Sequence, residues 1–111
     1  MSDLADQKCV PCRGGVPPMA PSEVRRFLRE IPGWDAPGDH HLLKRWTTTD
    51  FASALDLANR FGRIAEEQGH HPDLALGWGY VEAKVFTHKV DGLTLSDFVL
   101  AAKLTREAGG E

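Results

Sequence analysis

Between residues 66 and 97 the chain carries Glu66, His70, His71, Pro72, Trp78, His88 and Asp97, and three of its five histidines fall in that window. An imidazole has an unperturbed pKa of ~6.5, so near neutrality it both gives and takes protons. A His-His-Pro run directly after Gly69 offers packing little and proton transfer a great deal. Glu66 and His70 stand four apart, the spacing that sets two side chains on one helix face. Gly69 is a natural helix stop, which leaves His70 and His71 just beyond a C-terminus. There the macrodipole and a nearby carboxylate both favour an imidazolium, a competent general acid for a departing hydroxyl. Pro72 biases His71 to an extended backbone, so the adjacent rings point apart and serve different tasks. Thr94 and Asp97 then open a helix whose N-terminal amides can hold polar ligand atoms.

Each of these residues also has a plainer use. A histidine at a strand end, as at His88, is commonly a satisfied surface or core group. Asp97 is accounted for by helix capping, and Glu66 by a solvated helix face beside Arg63. Zinc is the chemical rival, since three histidines and Glu66 would supply ligands, but neither HxxxH nor HExxH spacing is present. His40-His41 is a second doublet, read as having no acidic partner beside it. No Ser or Cys sits in a nucleophile elbow, and no Gly-rich phosphate loop occurs. Spacing alone leaves an active site and a set of unrelated structural histidines both open.

Such side chains need a scaffold, and 111 residues suffice for one domain with a single core. A net charge of -3 with scattered basic residues argues against a phosphate-binding surface, so no nucleic-acid partner is expected. Arg25, Arg26 and Arg29 read as the solvated face of a helix. No apolar run approaches the ~20 residues needed to span a bilayer, and the first residues lack the apolar core of a secretory signal. A cytoplasmic protein is the expectation, with no membrane partner.

Residues 1–20 are Pro/Gly-rich without periodicity and read as an irregular N-terminal arm bearing Cys9-Val-Pro-Cys12. One CxxC supplies two of the four ligands a structural zinc wants. The arm is therefore read either as mobile with reduced thiols or as half a zinc knuckle completed elsewhere. Residues 21–108 form the single domain. Ser22 is a candidate cap for a helix with Val24, Phe27, Leu28 and Ile31 on one stripe, stopped by Pro32-Gly33. Trp34 follows on the turn, as a lid over the core or a platform for a flat ligand. Residues 41–48 read as a strand. A long helix starts at Thr49 or Asp50, with Phe51, Leu55, Ala58, Gly62 and Ala65 as its stripe, widened by Ala54, Phe61 and Ile64. Residues 74–78 and 80–87 read as strands broken at Gly79, the second alternating Val81, Ala83 and Val85 against Tyr80, Glu82, Lys84 and Phe86. Thr94-x-x-Asp97, with Leu93 and Phe98 at staple spacing, announces a final helix ended by Gly109-Gly110. The order α, β, α, β, β, α predicts an α+β fold, helices packed on one face of a small antiparallel sheet.

At these residues the chain resembles the pterin-4a-carbinolamine dehydratases. Their motif is an acidic residue, three spacers, His-His-Pro, five spacers, an aromatic, nine spacers, His, then Asp; Glu66, His70, His71, Pro72, Trp78, His88 and Asp97 match every spacing. Gly33-Trp34, Asp50-Phe51 with Ala54, and Thr87-His88 with Gly92-Leu93-Thr94 extend the likeness to roughly residues 20–106. The resemblance implies a four-stranded antiparallel sheet, a homodimer or homotetramer, and loss of water from 4a-hydroxytetrahydropterin to give the quinonoid dihydropterin. That recycles cofactor for aromatic amino acid hydroxylases, a pathway partner, and needs neither metal nor redox cofactor. It implies His70 and His88 as acid/base groups and Glu66 as base or orienting group. His71, Pro72, Trp34, Asp97 and Thr87 would bind or border the pterin. Trp78 departs from the tyrosine common in the family, which touches packing near the pocket and removes no catalytic group. The family also includes dimeric interaction proteins, so a non-catalytic scaffold stays open; a pure scaffold has no physical use for all of Glu66, His70, His71 and His88.

Overall fold

A computed structural model of the chain describes residues 4–10 and 17–109. Three α-helices and three strands follow one another in the expected order: α1 (Pro21–Leu28), β1 (Leu42–Thr47), α2 (Phe51–Gln68), β2 (Asp73–Gly77), β3 (Tyr80–Val85) and α3 (Leu95–Glu107). The sheet is antiparallel with order β1-β3-β2, placing β3 centrally. Leu42 lies opposite Val85 and Trp46 opposite Val81, while Leu74 and Leu76 lie opposite Ala83 and Val81. Alternation puts these side chains on one face, and Val81, Ala83 and Val85 are fully buried there. Helix α2 lies over β2 and β3, and α3 over β1 and β3. Phe61 meets Trp46 with ring centroids 4.8 Å apart, and Phe27 of α1 meets Phe98 of α3 at 5.5 Å.

Among the described residues the four strands expected are three. The residues after Trp34 approach the outer edge of β1 and make one bridge, Asp35 with Leu43, through a reciprocal pair of backbone hydrogen bonds of 3.0 and 2.9 Å. Pro37 then lacks an N–H, and Gly38 takes a positive φ of 63°, so pairing stops after one residue. Ser22 is not the cap of α1. Ala20 holds that position, and Pro21 starts the helix with its φ already set. Asp50 does cap α2, its carboxylate accepting from Ser53 N–H, and Gly69 ends the helix in the left-handed region at φ 64°. The buried stripe of α2 is Ala54, Leu57, Ala58, Phe61 and Ala65; Phe51 and Leu55, read as core, stand about half exposed.

The arm is ordered where it is described. Leu4 is buried, and Lys103 and Arg106 of α3 both donate to the Ala5 carbonyl. Val10 N–H donates to the Ser96 hydroxyl, and Cys9 N–H to the Gln68 side-chain carbonyl. Cys9 is thus half-buried beside the start of α3, with Lys8 and Val10 on either side exposed. Cys12 lies outside the described residues.

Candidate active site

The link from α2 to β2 and the end of β3 enclose a cleft of about 350 Å³. It is lined by residues 69–73 on one side and by Phe86, Thr87, His88 and Lys89 on the other. The left-handed Gly69 turns the chain sharply out of α2, and Pro72 holds the extended exit into β2. His70 and His71 are therefore presented at a turn and not within a packed stripe. His88 begins the loop after β3, exposed, with its ring centroid 4.1 Å from that of Phe86. A larger groove of about 500 Å³ is lined by Lys44 to Thr47, Leu57, Ala108 and Gly109. It holds none of the expected acid/base groups, which line the smaller cleft.

Asp97 anchors this cleft from beneath. Its carboxylate is fully buried yet satisfied on both oxygens. Oδ1 lies 2.5 Å from His70 Nε2. Oδ2 accepts from Thr94 N–H and from the Thr87 hydroxyl, both at 2.8 Å. A buried carboxylate without donors would cost several kcal/mol, and these partners offset that cost. One side chain thus closes the capping box of α3 and orients an imidazole. With Nε2–H donated to the carboxylate, the His70 tautomer is set and Nδ1 is left for proton traffic.

Glu66 does not stack on His70 as the i,i+4 spacing predicts. Gly69 breaks the helix before His70, and Glu66 Oε2 pairs with His71 Nε2 at 2.5 Å on an exposed surface. The structure brings His70, His71, Pro72, Thr87 and His88 to one cleft, with Glu66 behind His71 and Asp97 behind His70. It does not bring Trp34 there. Trp34 is 5% exposed, donates Nε1–H to the Thr105 hydroxyl at 2.8 Å, and meets Trp46 edge-on. That is the core-side alternative left open by its position. Phe86 and Lys89 line the cleft without having been singled out; the strand parity shared by Phe86 and His88 was the available signal. The fold supplies His40 with an acidic partner distant in sequence: its Nε2 lies 2.7 Å from Asp91 Oδ1, fifty-one residues on. Burial foremost, then Lys84 and His40, hold the His41 imidazole below its usual range. Burial likewise pushes the Cys9 thiol up to about 11, against a smaller pull from Lys103. Among the described residues no group of three or more His, Cys, Asp or Glu side chains is arranged to hold a metal. No helix among them is long and apolar enough to cross a membrane.

Comparison with known proteins bears on this geometry. The family model for pterin 4 alpha carbinolamine dehydratase matches residues 17–106. A Rubrobacter xylanophilus protein provisionally named pterin-4-alpha-carbinolamine dehydratase is 55% identical over 96% of this chain and 99% of its own. One of the same provisional name from Alkaliphilus metalliredigens is 44% identical over 96% and 97%. Among solved structures, a transcriptional coactivator/pterin dehydratase from Brucella melitensis superposes with TM-score 0.77 and 27% identity, covering 83% of this chain and 99% of that one. A pterin dehydratase-like RuBisCO assembly factor of the alpha-carboxysome shares the fold, with TM-score 0.61 and 22% identity over 71% and 93%.

Proposed function

Since the chain belongs to the pterin 4 alpha carbinolamine dehydratase family, we propose that it is a hydro-lyase that removes water from a 4a-hydroxytetrahydropterin. The observation that carries this reading is the convergence of His70 and His88 on one cleft, with His70 oriented by a buried carboxylate. Dehydration needs a proton delivered to the 4a-hydroxyl and another taken from a neighbouring ring nitrogen. As the C–O bond breaks, the oxygen leaves as water and the nitrogen lone pair forms the new C=N bond of the quinonoid dihydropterin. One imidazole gives a proton and the other receives one, so the balance closes, and solvent resets both rings. Two placed imidazoles supply roughly 10²- to 10⁴-fold each by general acid/base catalysis. His71, steadied by Glu66, holds the polar edge of the pterin. Pro72 and Thr87 form walls, and Asp97 serves as anchor. No step calls for a metal or a redox cofactor.

The same proposal places the protein in the cytoplasm, as a homodimer or homotetramer recycling cofactor for aromatic amino acid hydroxylases. The test is direct: generate the carbinolamine and follow its decay with and without the protein. Acceleration that disappears in His70→Ala and His88→Ala supports the reading. A rate equal to the spontaneous one would remove it and leave a non-catalytic interaction protein of this fold.

A further inference from the structure

Beside the cleft, on the loop that carries His88, lies a chain of hydrogen bonds that the dehydratase reading does not use. Loop 87–92 is closed by Thr87 N–H donating to the Gly92 carbonyl at 2.9 Å and by Asp91 N–H donating to the His88 carbonyl at 3.2 Å. Asp91 sits in the left-handed region at φ 51°, a conformation that aspartate tolerates better than most residues. Its carboxylate accepts from His40 Nε2–H at 2.7 Å. His40 Nδ1 in turn lies 3.1 Å from His41 Nδ1, a spacing that requires one nitrogen to carry a proton and the other a lone pair. The His40 ring also faces Phe86, with centroids 4.8 Å apart, and Phe86 is the ring on which His88 lies. Lys84 Nζ stands over the same Phe86 ring at 5.5 Å.

His40 therefore touches both supports of His88: the loop through Asp91, and the aromatic platform through Phe86. We propose that His40 is a positioning residue for His88, fixing the ring that the cleft presents to substrate. Among the described residues His88 has no buried carboxylate of the kind that holds His70. On an exposed loop its ring would sample several rotamers unless something restrains the loop and the ring beneath it. The His40–Asp91 bond crosses from the segment before β1 to the loop after β3, and so ties that loop to the sheet. The catalytic consequence rests on the dehydratase reading; the geometric one does not.

The two are separated by reading the His88 ring directly. In the free protein, NMR of the imidazole protons should show His88 displaced upfield by the Phe86 ring current. His40→Ala should move that resonance toward the value of an unrestrained histidine, with the His70 resonance unmoved. The His40 side chain is 37% exposed, so truncation opens no buried cavity, and an unchanged melting curve confirms the fold. His40→Gln keeps a donor for Asp91 without the ring, and His40→Phe keeps the ring without the donor; each should restore part of the shift. In the carbinolamine assay, His40→Ala should lower kcat about tenfold with KM little changed, the pattern of a misplaced reacting group. An unmoved His88 resonance in His40→Ala overturns the proposal, as does a moved resonance with unchanged kcat in an active enzyme. A moved resonance in a protein whose wild type has no dehydratase activity supports the positioning and removes the dehydratase reading instead.

Discussion

Two imidazoles of similar intrinsic chemistry are treated differently by their surroundings: His70 is tethered to a buried carboxylate, while His88 lies exposed against an aromatic ring. His88 is exposed, so its truncation removes little packing. The His70 side chain is 16% exposed, and its loss leaves Asp97 Oδ1 without its partner, at a cost of about 1–3 kcal/mol of stability. His70→Ala and His88→Ala should each lower carbinolamine dehydration by roughly 10²- to 10⁴-fold while leaving the circular dichroism spectrum unchanged. Asp97→Asn should behave differently. An amide cannot accept from every donor that Asp97 serves, so unfolding stability should fall by about 1–3 kcal/mol together with activity, measured by denaturant titration and by assay. Trp34→Phe should do the reverse of a binding-site change, losing about 1–3 kcal/mol of stability and leaving pterin affinity as it was. Equal loss of affinity would return Trp34 to the site. The residue types and spacings of the cleft were legible in the sequence; their pairing was not. Helical spacing joined Glu66 to His70, but one left-handed glycine between them re-aimed the chain and gave His70 to Asp97 and Glu66 to His71.

At the scale of elements, local signals read well wherever one residue decides the outcome. Asp50 starts α2, Gly69 stops it, and the box of Thr94 and Asp97 opens α3, all as composition predicts. Signals that need a partner read less well. The large residues Phe51 and Leu55 suggest a stripe through themselves, yet the core takes Leu57 beside the expected Ala54, Ala58, Phe61 and Ala65. The arm has no periodicity of its own because α3 supplies its order from outside, through Lys103, Ser96 and the pocket that takes Leu4. Leu4→Ala should therefore cost about 2–5 kcal/mol in a denaturant titration, an effect foreign to a loose tail. The thiol of Cys9 gives a second check. Raised to about 11, it stays protonated at pH 8, where an ordinary cysteine is partly thiolate. In a Cys12→Ser background, alkylation at pH 8 should be slow in the native protein and fast in urea. Rapid native labelling would mean that the arm is not held.

On the scale of the whole molecule, β2 stands at one edge of the sheet with its outer backbone unpaired by β3. Trp78 is 75% exposed at the tip of its hairpin, and Phe51 and Leu55 project from α2, the helix that covers β2. An unpaired edge beside apolar side chains is a site for pairing, and a second copy can satisfy it by symmetry. The expected mass by light scattering at micromolar concentration is that of a dimer or tetramer, reduced by Leu55→Lys. A monomeric wild type would count against it. Composition pointed to one small domain, and the topology shows which strands form its edges: β2, and β1 with its single bridge at Leu43. That assignment could not come from the sequence, since strand order depends on pairing between distant segments.

The double duty of Asp97 ties the readiness of the cleft to the breathing of a helix. Its Oδ2 accepts the Thr94 amide that closes the first turn of α3, and its Oδ1 holds His70. An opening of that turn that swings the Asp97 side chain away should release the imidazole in the same event. Deuterium uptake at Thr94 then serves as a clock for how often the cleft stands disarmed. Gentle warming should accordingly silence the protein before its core begins to melt.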